Sequence, residues 1–523
     1  MLRKPTPVPV ARAHARAALG SAPRRGPWSA AERWSLGLLV VAVLVSLPLL
    51  VHPWYDSTYG DPALYIETAR ALVAGEGYTH LGLSFRLRPP GFSVLIAPII
   101  AGLGTHFYAL NLFVSLLGAA GVVLLAFHLR ATLGGVVAAL TAFAVWLNPG
   151  YQWHATQILS DVPGTSALIA CLLLEQWARR APSWRREAVL GVCVGLAAYL
   201  RSINLLLVPA IVVSRLLQRR RDGMSPAFTV SVALRDLALF AAVAWLVLLP
   251  WSIRENIKAP PSPADQTYLY SYATGMWHRD PGDPASPRVG AAGLLARMRA
   301  NAPAIVRTLG SRMQAGRHPA LNPALGLLLL GASLVLLLRR RAPAEFFVVF
   351  ALGVLVGYFD LRDRLLLPVF VLALSASVEV VRDLLGRIGG ARVANAGAAA
   401  ALLLLVAFDF EPRRGWDRIE KRHTRYAQMT AAVAAQLEPD ARIGAGVGFH
   451  YGVYLERPVY SLAFAIRRDH RPEAAEAIID KYGLNTLVSS PLAGAELPLL
   501  PYFEKRYGNV RRAGEATVIR VRP

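Results

Sequence analysis

Long apolar runs broken by short arginine clusters constrain this chain more than any other feature of its sequence. Trp34 to Val51, Phe107 to Leu129 and Leu234 to Trp251 are of the length that crosses a bilayer, for which about 20 apolar residues suffice. Of 523 residues, 54% are hydrophobic and only 17% charged. That places the chain among multi-pass membrane proteins. The formal net charge of +23 does not point to nucleic acid. Its arginines gather beside apolar spans, which is the positive-inside pattern. Cys171 and Cys193 both fall inside predicted spans and argue against a disulfide framework.

The arginine runs set the topology. Residues 1–33 form a basic, proline-containing arm, expected to be disordered and cytoplasmic, with no small-residue cleavage site after the first span. The first span then leads outward. Arginine follows the apolar segments ending at Trp177, Leu217 and Leu338, so those ends belong inside. Gly91 to Gly104 is apolar but too short to cross, and lying flat on the outer interface it preserves this parity. The pattern predicts a mostly α, polytopic helical bundle of about eleven spans over residues 34–410. It carries a first outer loop at 52–106 with juxtamembrane helices and a long outer loop at 252–322. The stretch LLARMRANAPAIVRTL in that long loop reads as a basic amphipathic helix. From residue 411 to 523 the pattern changes. Helical stretches at Ile419 to Leu437 and Pro472 to Tyr482 alternate with strand-like ARIGAGV, NTLVSS and ATVIRV. This is a small α/β domain, placed outside by the span count. Its GAGVG lacks the spacing of a dinucleotide fingerprint and reads as a strand-end turn.

With this topology Asp56, Asp61, Asp161, Arg201, Arg254 and Arg364 reach one outer rim. Asp61-Pro62 and Ser160-Asp161 each open a helical pattern, so helix capping is one reading of both acids. Convergence with arginines is the other, as a site for chemistry. Arg201 interrupts an apolar hairpin on the side where positive charge is disfavoured, which calls for an anionic partner. Arg254 and Lys258 follow a span end and also read as interfacial anchors. Trp153 and His154 read chiefly as interface-belt residues. No His/Cys cluster has metal-site spacing, and neither GxSxG nor a P-loop occurs.

In order, GDPALYIETARALVAGEGY, RPPGFSVLIAP, ILSDVPGTSALIACLLLEQW, GLAAYLRSINLLLVPA, LLPWSIREN and RDRLLLPVF resemble the integral-membrane C-type (GT-C) glycosyltransferases. The resemblance is to the branch with protein O-mannosyltransferases and the aminoarabinose transferase of lipid A, and covers roughly Trp34 to Phe408. It implies a polyprenyl-phosphate-linked sugar as donor, a hydroxyl acceptor on a glycolipid, polysaccharide or protein, and a bacterial cytoplasmic-membrane location. The C-terminus would be extracytoplasmic. It also implies that Asp61 is the catalytic base and that Asp161 is the second outer-loop acid, with Tyr65 in the first motif. Arg201 and Arg364 fall where the family places cations near the lipid phosphate. Arg254, Arg86, Arg88 and Lys258 are further candidates for the phosphate, and Asp56 and His154 for the substrate pocket. Where many members carry Asp-Glu, this chain has Asp61-Pro62, so the acceptor stays open.

The residue types suit the chemistry. A lipid phosphate is already a good leaving group, so transfer needs one base for the acceptor hydroxyl and cations for the departing phosphate. One carboxylate attacking from the opposite face implies inversion. No cofactor is expected, and a divalent metal is not indicated. A transporter or flippase for a lipid-linked sugar is the alternative, but it favours ionisable residues at mid-bilayer on broken helices. Here the spans read as nearly free of charge. A non-catalytic assembly protein would need neither Asp61 nor Arg201.

Overall fold

The computed structural model describes residues 27–219, 226–258, 265, 272–280, 286–313, 318–409, 411, 413, 415–462, 472–491, 497 and 499–521. Residues 1–26 of the expected disordered arm lie outside them, as do 259–264, 266–271, 281–285 and 314–317 of the long loop.

The chain opens with α1 (Ala30–Leu50), started by a capping box in which Ser29 and Glu32 satisfy each other's backbone N–H groups. Two short helices follow, α2 (Asp61–Val73) and α3 (Gly91–Leu103), separated by a small hairpin of β1 (Thr79–His80) and β2 (Leu83–Ser84). At 13 residues, α3 spans about 20 Å, short of a bilayer core of about 30 Å. It buries Phe92, Ile96 and Ile100, one face at four-residue spacing, against α2, and exposes Val94, Leu95 and Leu103 on its other sides.

The bundle continues through α4 (Phe107–Leu133), α5 (Gly135–Leu147), the short α6 (Pro149–Ala155), α7 (Asp161–Arg180) and α8 (Trp184–Leu200). Then come α9 (Leu207–Arg219), α10 (Pro226–Ile253), α11 (Tyr272–Trp277) and α12 (Ala291–Met313). The last members are α13 (Asn322–Arg340), α14 (Pro343–Val356) and α15 (Leu367–Asp409). The amphipathic stretch of the long loop is α12, packed along α13. Among the described residues, five helices are long and apolar enough to cross a membrane by length and composition: α1, α4 and those around Leu234–Ile257, Pro319–Arg340 and Asp363–Ala407. Four further apolar helices are shorter, Gly91–Leu103, Gly135–Leu147, Ser202–Gln218 and Pro343–Val356, so helix length and composition do not by themselves give the expected count of about eleven spans. The two final spans of the sequence reading form one element, α15, broken at Gly390, where φ is 75°. Arg382 Nε donates to Asn395 Oδ1 at 2.8 Å. A straight helix would hold these residues about 20 Å apart, so the chain doubles back here.

The expectation that the spans are nearly free of charge is corrected by two clusters, one buried and one part-buried. Arg215 on α9 joins Glu187 at 2.8 Å and Glu175 at 3.3 Å. Arg340 joins Glu345 at 2.5 Å and Glu379 at 2.7 Å. Each acid is masked by an arginine from a neighbouring helix, which is how charge is tolerated in such a setting.

Beyond α16 (Trp416–Ala434) the chain builds a five-stranded mixed sheet in the order β4-β3-β5-β7-β6. Its strands are β3 (Ile443–Ala445), β4 (Val459–Ser461), β5 (Thr486–Ser489), β6 (Asn509–Ala513) and β7 (Ala516–Arg520). Parallel β4-β3-β5 is extended by antiparallel β7 and β6. The GAGVG segment is the turn from β3 into α17 (Phe449–Leu455). Helices α18 (Pro472–Lys481) and α19 (Leu500–Tyr507) complete the layer. This domain rests on α2. Arg70 donates to the carbonyls of Gly452 and Val453 and pairs with Glu456 at 2.9 Å. At the other end of α2, the ring of Phe449 leaves no room for a Cβ on Gly60.

Candidate active site

Both candidate acids occupy the first turn of a helix, and neither caps it. Gly60 stands at the N-cap of α2 and Ser160 at that of α7, and no side-chain cap bond forms at either. The capping reading of Asp61 and Asp161 is thereby corrected. Their carboxylates point at arginines instead, at helix ends whose dipole favours negative charge.

Arg88 Nη2 lies 2.5 Å from Asp61 Oδ1, and Arg364 Nη1 lies 2.5 Å from Asp61 Oδ2. Arg364 Nη1 also sits 3.7 Å from Asp161 Oδ2, while Arg201 Nη2 is 2.8 Å from Asp161 Oδ1. Asp161 is fully buried and Asp61 is 9% exposed. Burial works against ionising Asp61, but Arg88 and Arg364 outweigh it and hold the carboxyl at about 2. Among the described residues, this cluster joins three guanidinia to two carboxylates and so carries one positive charge in excess.

Each member arrives on its own element. Arg201 ends α8 in extended conformation, before the 3-10 turn Ser202–Leu206. It approaches Asp161 over Gly164, where a Cβ would come within 2.8 Å of the arginine's own Cβ. Arg364 belongs to the 3-10 turn Asp363–Leu366 that precedes α15. Arg88 lies on the loop after the β1-β2 hairpin and stacks over Tyr65, 5.4 Å from the ring centre. Tyr65 in turn shares a 2.8 Å hydrogen bond with Ser160, whose hydroxyl accepts from Arg201 at 3.4 Å.

A second group adjoins the first. Asp363, next to Arg364 in the chain, lies 3.5 Å from His154 Nε2 and 3.6 Å from Arg312 Nη2. Tyr59 donates to Asp363 at 3.2 Å and lies over the Arg364 guanidinium, linking the two groups. His154 is fully buried, and burial lowers its pKa, although Asp363 acts the other way. The interface-belt reading of His154 is corrected accordingly.

The remaining candidates stand apart. Arg254 donates to the carbonyls of Phe85 at 2.9 Å and Tyr78 at 2.6 Å, bracing the hairpin that leads to Arg88. Arg86 is half-buried, within electrostatic reach of Arg254 and Glu255. Asp56 accepts from Gln157 at 2.7 Å and from the Thr58 hydroxyl at 2.6 Å, and faces Arg422 of α16. Lys258 ends a π-helical turn, and its side chain lies outside the described residues.

Sequence reasoning missed Tyr59, Ser160, Asp363 and Arg312. Ser160 and Asp363 are the chain neighbours of predicted residues, and that adjacency was their signal. Arg312 had none, being one of several arginines along α12.

No protein-family model matches the sequence, and no curated protein sequence matches it. The fold does have relatives of known structure. ArnT from Cupriavidus metallidurans bound to undecaprenyl phosphate superposes with a TM-score of 0.60 at 14% identity, over 92% of this chain and 97% of that one. Its apo state gives a TM-score of 0.56 at 15% identity, over 94% and 98%. The oligosaccharyltransferase AglB from Archaeoglobus fulgidus, in complex with an inhibitory peptide and a dolichol-phosphate, gives 0.51 at 12% identity, over 91% and 72%. The chain thus shares its fold with ArnT and AglB.

Proposed function

We propose that the protein transfers a sugar from a polyprenyl-phosphate donor to a hydroxyl acceptor, with inversion, at the outer face of a bacterial cytoplasmic membrane. The observation that carries the reading is the excess cation at the acid cluster. Three arginines on three different elements face two carboxylates, a balance that a phosphate completes. The same fold in ArnT and AglB is found with undecaprenyl phosphate and a dolichol-phosphate.

In this mechanism the donor phosphate draws Arg88 and Arg364 away from Asp61. A carboxyl held at about 2 is a weak base, and losing these partners raises its basicity. Asp61 then takes the proton of the acceptor hydroxyl as its oxygen bonds to the anomeric carbon. The bond from that carbon to the phosphate oxygen breaks on the opposite face, and its electron pair leaves with the lipid phosphate. Guanidinia are suited to the developing charge because they present two parallel donors and stay protonated. Arg201 holds Asp161 in place beside them and meets the phosphate from the α8 side. We assign the charge-neutralising role to the arginines rather than to a metal.

The test is donor class. Purified protein in lipid should release polyprenyl phosphate from a labelled polyprenyl-phosphate sugar and pass the label to membranes supplied as acceptor. Transfer from a nucleotide sugar instead, with none from the lipid-linked donor, would sink the reading.

A further inference from the structure

A cavity of about 390 Å³ opens between α6, α12 and the first turns of α16, on the far side of Asp363 from the acid cluster. It lies within the size range of small-molecule sites. Two indole side chains, Trp153 and Trp416, line it. Arg312 lines it too, only 5% exposed, and among the described residues its Nε and Nη1 have no hydrogen-bond partner. The side chain is held in this wall by Nη2, which donates to the Asp363 carbonyl at 2.9 Å and lies 3.3 Å from His154 Nε2.

The chemistry of the walls narrows the occupant. Arg312 and Arg418 face Asp363 and Glu411, so the lining charges balance and select neither an anion nor a cation. Gln152 and Thr156 add neutral polar groups. Flat aromatic faces beside planar, two-pronged donors and acceptors fit a ligand with apolar C–H faces and a hydroxyl rim. The position matters as well. Arg364 turns toward Asp61 and Asp161, whereas Asp363, the preceding residue, turns toward the cavity.

We propose that this cavity is a subsite for a neutral sugar ring, the saccharide of the acceptor. Its description as the acceptor's site rests on the glycosyl-transfer reading, while the sugar-binding assignment does not. A ring seated against Trp153 and Trp416 lies beside Asp363, the chain neighbour of the Arg364 that pairs with Asp61. Asp363 and Arg312 hold its hydroxyls, and Tyr59 relates the two sides of the step through Asp363 and Arg364.

The experiment is saturation-transfer NMR on the full-length protein in nanodiscs, with methyl glycosides of neutral hexoses and pentoses, and with inorganic phosphate as the anionic control. At least one glycoside should bind. Binding should weaken by about tenfold or more in Trp153→Ala, which removes a wall, and in Thr308→Phe, which fills the space without removing a charged group. Elution volume and melting temperature identify whichever variant keeps the fold. Absence of glycoside binding to wild type, unchanged binding in the folded variants, or cavity-dependent binding of phosphate alone overturns the proposal. Asp61→Asn separates this result from the function: it should bind the glycoside normally while losing transfer. If wild type passed on no sugar from a lipid-linked donor the glycosyl-transfer reading would fall, whereas normal transfer by Asp61→Asn would remove only the base assignment; in either case the binding data would still decide the cavity.

Discussion

Replacing Asp61 by asparagine should lower turnover and tighten donor binding at once. The carboxylate is engaged by Arg88 and by Arg364, each at 2.5 Å, and the donor phosphate must compete with it for the same two guanidinia. An amide accepts from only one of them and turns its own NH₂ toward the other. Charge-assisted hydrogen bonds contribute about 1.5–3 kcal/mol. Removing one competitor should therefore tighten phosphate binding by about tenfold to a hundredfold. Turnover should fall by about 10²–10⁴, the usual contribution of a general base, or roughly 3–5 kcal/mol of barrier. The helix loses no cap bond, since Asp61 makes none. Initial rates of polyprenyl phosphate release give kcat, and calorimetric titration with polyprenyl phosphate gives Kd, for wild type and variant. A near-normal kcat refutes the base. Weaker phosphate binding in the variant refutes the competition, because Asp61 would then be orienting the arginines rather than occupying them.

Three further outcomes are expected. Arg201→Ala leaves the fully buried Asp161 with only Arg364 at 3.7 Å, and should cost about 3–5 kcal/mol of stability in thermal melts, with Arg201→Lys recovering only part. A reporter active only in the cytoplasm, fused after Pro523, should be silent, and a bright signal would reverse the span parity. Burial depresses the His450 pKa to about 3, so between roughly 6.5 and 3 the unfolded chain binds a proton that the folded one does not. Stability should consequently fall as pH drops through that window, and His450→Gln should flatten the part of the melting curve's pH dependence that this ring supplies.

The bundle was legible because apolar length and arginine placement are one-dimensional signals. The α/β domain was legible where its strands are apolar and its helices amphipathic, as in β3, β5 and β7. Strand β4 is three residues beside a proline, and β6 carries two arginines at a sheet edge, so neither shows an apolar alternation. Asp61, Asp161, Arg201 and Arg364 could be named because each breaks an apolar pattern at a helix end. What the carboxylates do there could not be read, since a first-turn acid looks the same whether it caps its helix or pairs with a guanidinium hundreds of residues away. Arg364 and Asp61 are such a pair. The role of Arg312 depends on α12 folding back against His154 and Asp363, and nothing local marks it.

The contact between α2 and the α/β domain also bears on when the acid cluster is complete. Phe449 closes on Gly60, the residue before Asp61, and Arg70 ties the other end of the same helix to α17. The acid is therefore seated by residues synthesised almost four hundred positions later, roughly the whole bundle. A chain still emerging from the ribosome has the arginines that pair with Asp61, but neither end of its helix is yet held by the last domain. If the protein transfers sugar as proposed, a product truncated before this domain should still insert in the membrane but turn over less donor than the full chain.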